Sequence, residues 1–338
     1  RYCECCMISG NNLFKRVLSV PTLISFVGSI VLVYLLLQVF DIDWSEVEDR
    51  VKGINLLFYA IGLMLYYSGF FLRALRWRLI AENAATIPTQ ERRPMSLSVC
   101  ILLLLSGWFL NSIAWLRVGD AYRAYEFGEE TAEGFSWSLG TIMAERVLDM
   151  VIVALMLLVA AWAFWSNVGT SNLNYVLVIA SAMVLILIGV LLLLRVSNRI
   201  IDTLFTGRIH SFIIRFRIGT LNSFSRLPIL VTLGILSWLV EVARVIMVTE
   251  SLGFEVPMAL MVIVALSGAI FSTVPTPGGI GAVEPGITGI LLLQLKSSEA
   301  ASFVIVDRSI TYLSVLVFGG CAFLLQRFLR IRRSTRNV

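Results

Sequence analysis

Chemistry in this sequence would begin with ionisable side chains set inside long apolar runs. Glu145, Arg146 and Asp149 open the run 138–165. Glu145 and Asp149 lie one helical turn apart on a shared face, and Arg146 is spaced to pair with Asp149. Glu241 and Arg244 repeat the spacing inside 229–250, and Asp307 and Arg308 fall early in 302–326. Each such charge costs roughly 2.5–3.5 kcal/mol to place in a bilayer. A chain that keeps several either neutralises them in pairs that hold helices together or turns them toward a substrate. The residues alone leave both readings open.

Two further stretches suit an anion. In Trp115-Leu116-Arg117-Val118-Gly119-Asp120-Ala121-Tyr122-Arg123, two arginines flank a glycine where the backbone can turn. A guanidinium fork donates two hydrogen bonds to a phosphate at once. The plainer reading is a solvated cytoplasmic turn. Pro275–Gly281 holds two prolines and three glycines and cannot continue a helix. A helix restarting there at mid-membrane would offer free N–H groups to an anion, and Glu284 follows the break. The Gly-Lys-Ser/Thr ending of a nucleotide-binding loop is absent from it. The candidate substrate-binding residues are therefore Arg76, Asn111, Arg117, Gly119, Asp120, Arg123, Arg244, Pro277, Gly278, Gly279, Gly281 and Glu284. Glu145, Arg146, Asp149, Glu241, Asp307 and Arg308 form a candidate intramembrane charge network. No nucleophile–base pair is apparent, so no catalytic residue is assigned. With His210 the lone histidine and Cys3, Cys5, Cys6, Cys100 and Cys321 not spaced as ligands, neither a metal nor a cofactor is expected.

The elements that must position these groups are membrane helices. Apolar residues make up 58% of the chain and charged ones 14%, too few to cover a soluble domain. The runs 22–40, 54–72, 138–165, 174–194, 229–250 and 302–326 each approach or exceed the roughly 20 residues that cross a hydrocarbon core. The net charge of +5 comes from arginines at helix ends, which points to topology and anionic headgroups and away from nucleic acid. Met7 opens a natural-looking start, so residues 1–6 read as upstream read-through, with palmitoylation of their cysteines the weaker alternative.

Basic loops at 73–93, 195–226 and 327–336 are expected in the cytoplasm, with both termini. The loops 41–52, 166–173 and 251–257 are expected outside. Parity then requires 95–130 and 258–298 each to enter and leave by the same face, from opposite sides. Ser106-Gly107 recurs as Ser267-Gly268, and the same spacing carries Asn111-Ser112 onto Ser272-Thr273. One residue more carries Glu145-Arg146 onto Asp307-Arg308, and a further shift carries Arg76 onto Arg244. The expected fold is an all-α integral membrane protein with six spanning helices and two re-entrant hairpins, built as an inverted-topology repeat. It forms one membrane domain over 1–338: a cytoplasmic segment 1–21, repeats at 54–165 and 228–326, and a basic tail 327–338.

Three strings make a family resemblance: Arg117-Val118-Gly119-Asp120-x-x-Arg123, Glu145-Arg146-x-x-Asp149, and Pro275-x-Pro277-Gly278-Gly279-x-Gly281-x-x-Glu284, with the late Arg308. Together with Arg73-x-x-Arg76-Trp77 they resemble the lysylphosphatidylglycerol synthase transmembrane, flippase-like family over roughly 20–330. Trp115 stands where that family often has proline, and Asp307 where an apolar residue is usual. The resemblance implies the translocation or lipid-binding half of a synthase without its aminoacyl-transferase domain. The expected function is binding or flipping of a phosphate-bearing lipid in the cell membrane. Membrane lipids are the expected partners, alongside a second copy of the chain or a separate lipid-modifying enzyme. The alternatives are an intramembrane enzyme acting on a lipid phosphate and a proton-coupled small-anion transporter.

Overall fold

The computed structural model describes residues 42–87, 95–168, 185, 189 and 206–336. The expected cytoplasmic segment 1–21, the spans 22–40 and 174–194 and the loop 166–173 lie wholly or largely outside the described residues. The described elements are helical: α1 (Trp44–Lys52), α2 (Leu56–Ala84), α3 (Leu97–Ile113), α4 (Val118–Thr131), α5 (Phe135–Val168) and α6 (Gly207–Leu221), then α7 (Leu227–Ser251), α8 (Met258–Phe271), α9 (Val283–Leu291), α10 (Ser297–Arg308) and α11 (Ser314–Arg336). Short 3-10 turns fill Trp115–Arg117 and Pro277–Gly279, and a π-helical turn, Ser309–Leu313, joins α10 to α11.

Three of these units are long and apolar enough to cross a bilayer: α2, α7 and the continuous rod from Ser297 to Arg330, with 29, 25 and 34 residues. They contain the expected spans 229–250 and 302–326 and all but the first two residues of 54–72. The expected span 138–165 lies within α5, itself 34 residues long. Leu57, Met64, Leu155, Val159, Leu239, Val317 and Leu324 stand exposed on these rods. Apolar exposure along rods of that length suits hydrocarbon as the solvent.

The remaining apolar helices are shorter. At 1.5 Å per residue, the 17 residues of α3 and the 14 of α8 reach about 26 and 21 Å, against about 30 Å of hydrocarbon. Each is followed by a chain reversal. After α3, Leu116 and Arg117 take left-handed φ values of 58° and 52°, a conformation non-glycine residues seldom adopt. The returning α4 then touches α3 backbone to backbone. A Cβ on Gly119 would lie 1.8 Å from the Gly107 carbonyl oxygen. On an uninterrupted helix those residues would be about 18 Å apart. After α8 the reversal uses Gly278, Gly279 and Gly281 at φ 60°, 71° and 85°, and α9 packs back on α8.

The helix contacts come in matched sets. α3 packs on α2 and α4, and α8 packs on α7 and α9. α5 meets α2 and α4, and α10 meets α7 and α9. α3 also lies along α11, and α8 along α5, so each hairpin's first helix rests on the last helix of the other half. α2 and α7 pack on each other at the centre. The core there is aromatic. Trp77 and Phe127 pack at a tilt with centroids 4.4 Å apart, and Trp137 anchors α5 by donating its indole N–H to the Ala84 carbonyl at 2.9 Å.

Candidate functional site

Burial divides the charged residues into two groups. In the first, the side chains hold helices together. Arg76 of α2 is fully buried and donates to Asp149 at 2.7 Å, with Glu145 at 3.8 Å. Arg123 of α4, equally buried, donates to the other Glu145 oxygen at 2.9 Å and lies 4.3 Å from the centre of the Trp77 ring. The Trp238 indole donates to Asp149 at 3.2 Å. In the second half, Arg244 bonds Glu241 at 2.9 Å and also Asp307. Arg73 sits 3.6 Å from Glu241 among the rings of Phe70, Trp108 and Trp238. Removing one member of a buried ion pair leaves the other charge uncompensated, at about 3–5 kcal/mol.

The second group stands at or beside the hairpin tips and is partly exposed. Side-chain exposure is 0% for Arg76 and Arg123 but 30% for Arg117, 25% for Arg146 and 16% for Arg308. Arg117 and Arg146 share Asp120, at 3.2 and 3.1 Å. Arg308 bonds Glu284 at 2.7 Å and the Gly278 carbonyl at 3.1 Å. The group carries three guanidiniums against two carboxylates. The two tips touch: the Trp115–Arg117 and Pro277–Gly279 turns pack together, and the Tyr312 hydroxyl, on the turn following Arg308, donates to the Ser112 carbonyl at 3.2 Å.

Several candidates build the hairpins. The Asn111 side-chain oxygen accepts from the Gly119 amide at 2.8 Å, locking α4 against the end of α3. The Gly281 amide, which the sequence offers to an anion, donates instead to Glu284 at 2.7 Å. Pro277, Gly278 and Gly279 form the second tip. Arg244 engages Glu241 and Asp307, and the guanidinium at that tip is Arg308. Arg146 donates to Asp120 across two helices, while Asp149, its expected partner, accepts from Arg76.

The sequence offers a signal for two groupings that pattern reading missed. The spacing that carries Arg76 onto Arg244 also carries Arg73 onto Glu241, and those two residues pair with each other. The spacing that carries Ser106 onto Ser267 carries Arg123 onto Glu284. Each ties its hairpin to the next long helix, Arg123 to Glu145 and Glu284 to Arg308, with the charges exchanged. Tyr312 had no such signal, because a single tyrosine in an apolar run looks like core.

Comparison with known proteins places the chain in a family. The chain matches the family described as the lysylphosphatidylglycerol synthase TM region over residues 22–319. It is similar to a UPF0104 membrane protein of Methanocaldococcus jannaschii, at 28% identity over 222 residues, covering 64% of this chain and 93% of the relative. Two UPF0104 membrane proteins of Methanothermobacter thermautotrophicus are 24% and 21% identical, each alignment covering 82% of this chain and 85% and 88% of the relatives. With long apolar rods, buried arginine–carboxylate pairs and a match over most of its length, the chain is a multi-pass membrane protein that belongs to the lysylphosphatidylglycerol synthase transmembrane-region family.

Proposed function

We propose that the protein binds the anionic headgroup of a membrane lipid where its two hairpin tips meet and carries the lipid between leaflets. The observation that carries this reading is the partly exposed group of Arg117, Arg146 and Arg308, whose positive charge exceeds the negative charge of Asp120 and Glu284. Arg146 keeps its Nε unbonded among the described residues. A phosphate would take up both the excess charge and such donors. In this reading the hairpins are re-entrant and the two halves form an inverted repeat. The matched contacts of the halves and the short reach of α3 and α8 support it. The chain then makes six crossings of the cell membrane with both termini in the cytoplasm. Transport follows by rocking one half against the other about the fixed junction.

The test is lipid retention by native mass spectrometry together with fluorescent-lipid movement in proteoliposomes. Arg117→Gln and Arg308→Gln should each weaken retention of phosphate-bearing lipids by about 1.5–3 kcal/mol, the range for a hydrogen bond to a charged group. Both variants should keep the fold, because Asp120 retains Arg146 after Arg117→Gln and Glu284 retains the Gly281 amide after Arg308→Gln. Unchanged lipid retention and movement would overturn the reading. If the same variants also abolish uptake of inorganic phosphate, a small-anion transporter replaces it.

A further inference from the structure

The π-helical turn Ser309–Leu313 is not explained by ion pairing or by helix packing alone. π turns are rare, are less stable than α-helix and collect at functional sites. This one is anchored from one side by α2. The Tyr66 hydroxyl donates to the Thr311 carbonyl at 3.2 Å, Tyr59 pairs with the Ser309 hydroxyl at 2.9 Å and Tyr67 with Ser314 at 2.8 Å. On its other side the turn presents Tyr312 to the junction. The ring lies flush on Gly278, where a Cβ would come within 2.4 Å of it, and the Arg308 guanidinium lies 5.9 Å from its centre. Its hydroxyl reaches the Ser112 carbonyl, one of the orphan carbonyls at the end of α3. One side chain of the second half therefore covers the tip of its own hairpin and is bonded to the tip of the other.

We propose that Tyr312 is a clasp holding the hairpin junction closed, and that the π turn is the hinge on which it swings away to admit a headgroup to Arg117, Arg146 and Arg308. This rests on the reading of the junction as a headgroup site. The fastening is weak by construction. It is a single neutral hydrogen bond at 3.2 Å and a ring lying on a glycine, in contrast to the buried ion pairs that hold the helices. Turning Tyr312 aside releases its hydrogen bond between the halves and uncovers the junction without breaking any of those pairs. The three tyrosine contacts keep the turn attached to α2 while it moves.

The test uses the full chain in proteoliposomes of phosphatidylcholine and phosphatidylglycerol, with Ser112→Cys as reporter and the other cysteines replaced by alanine. Ser112 is buried beneath the clasp, and its Oγ bonds the Trp108 carbonyl of its own helix. A methanethiosulfonate reagent should label it slowly when Tyr312 is present. Tyr312→Phe removes only the hydroxyl and should raise the labelling rate roughly two- to tenfold, as loss of one neutral hydrogen bond predicts. Tyr312→Ala should raise it further. Lipid movement, read in parallel, should quicken in the same order. Labelling unchanged in both variants overturns the clasp. Labelling that rises while lipid movement stays at the parent level keeps the clasp and removes the lipid reading of the site it covers. Tyr312→Phe is the control for folding, since it keeps the ring on Gly278 and should leave the thermal midpoint in detergent within a degree or two.

Discussion

Arg123 and Arg117 sit six residues apart on one hairpin, and the structure gives them opposite consequences on mutation. Arg123→Gln removes a guanidinium that is 0% exposed, bonded to Glu145 at 2.9 Å and stacked on Trp77. Glutamine keeps polarity but leaves Glu145 with Arg76 at 3.8 Å as its nearest paired guanidinium among the described residues. A broken buried pair costs about 3–5 kcal/mol, and the lost ring contact adds up to about 2. Arg76 offsets part of this, so about 3–5 kcal/mol is expected in all. Arg117→Gln breaks a partly exposed pair whose carboxylate keeps Arg146, so at most about 1 kcal/mol is expected. Thermal unfolding in detergent should therefore drop by roughly 6–10 °C for Arg123→Gln and by no more than about 2 °C for Arg117→Gln. Lipid retention should fall for Arg117→Gln at temperatures where both proteins are folded. The double variant Arg123→Gln/Glu145→Gln should regain stability over Arg123→Gln alone, because the uncompensated carboxylate goes with it. If Arg123→Gln loses no more stability than Arg117→Gln, burial does not separate a strut from a ligand here. The division of the charges into two groups then fails.

Other outcomes follow from local geometry. Gly119→Ala would drive a methyl into the Gly107 carbonyl at 1.8 Å and should cost about 3 kcal/mol or prevent folding. Gly289→Ala, in a helix with nothing within 4 Å, should be neutral or raise stability by up to about 1 kcal/mol. Side-by-side thermal melts check both. At α1, the Ser45 hydroxyl and the Ser45 and Glu46 amides hold the Asp43 carboxyl below its ordinary range. A carboxyl lowered in the folded state stabilises above its unfolded value and loses that contribution as pH falls through the folded one. Hydrogen exchange of 44–52 should accordingly accelerate only in acid, below the usual carboxylate range of about pH 4. Asp43→Asn, which keeps a cap, should show a flatter profile.

The parts of this fold that were legible in sequence are those where chemistry overrides hydrophobicity. Two prolines and three glycines in Pro275–Gly281 can only be a break, and the structure breaks there. Acidic residues in apolar runs must find cations, and Glu145, Asp149, Glu241 and Asp307 all do. Which cation each finds was not legible. Arg146 and Asp149 are spaced to pair on one helix, yet Asp149 goes to Arg76 and Arg146 to Asp120, because tertiary approach brings a stronger partner than the neighbouring turn. Nor could burial be read from these helices. When every face is apolar, periodicity no longer separates lipid from protein, so Met64 faces out and Phe70 faces in with similar neighbours in sequence. That is why the sequence does not separate the buried Arg123 from the more exposed Arg117.

In the inverted-repeat reading proposed above, the contact between Arg73 and Glu241 bears on ancestry. The two positions correspond under the spacing that carries Arg76 onto Arg244, and they meet where α2 crosses α7. Were each half a separate, identical polypeptide, the residues meeting there would be the same: two arginines or two glutamates, like charges buried at a few ångströms. Opposite charges at that point require two halves whose sequences differ. If the halves arose as two copies, joining them in one gene permits this, since each can then drift independently while always finding the other at equal stoichiometry. The pair also makes the halves non-interchangeable, so two first halves would repel each other at the position where a first and a second attract.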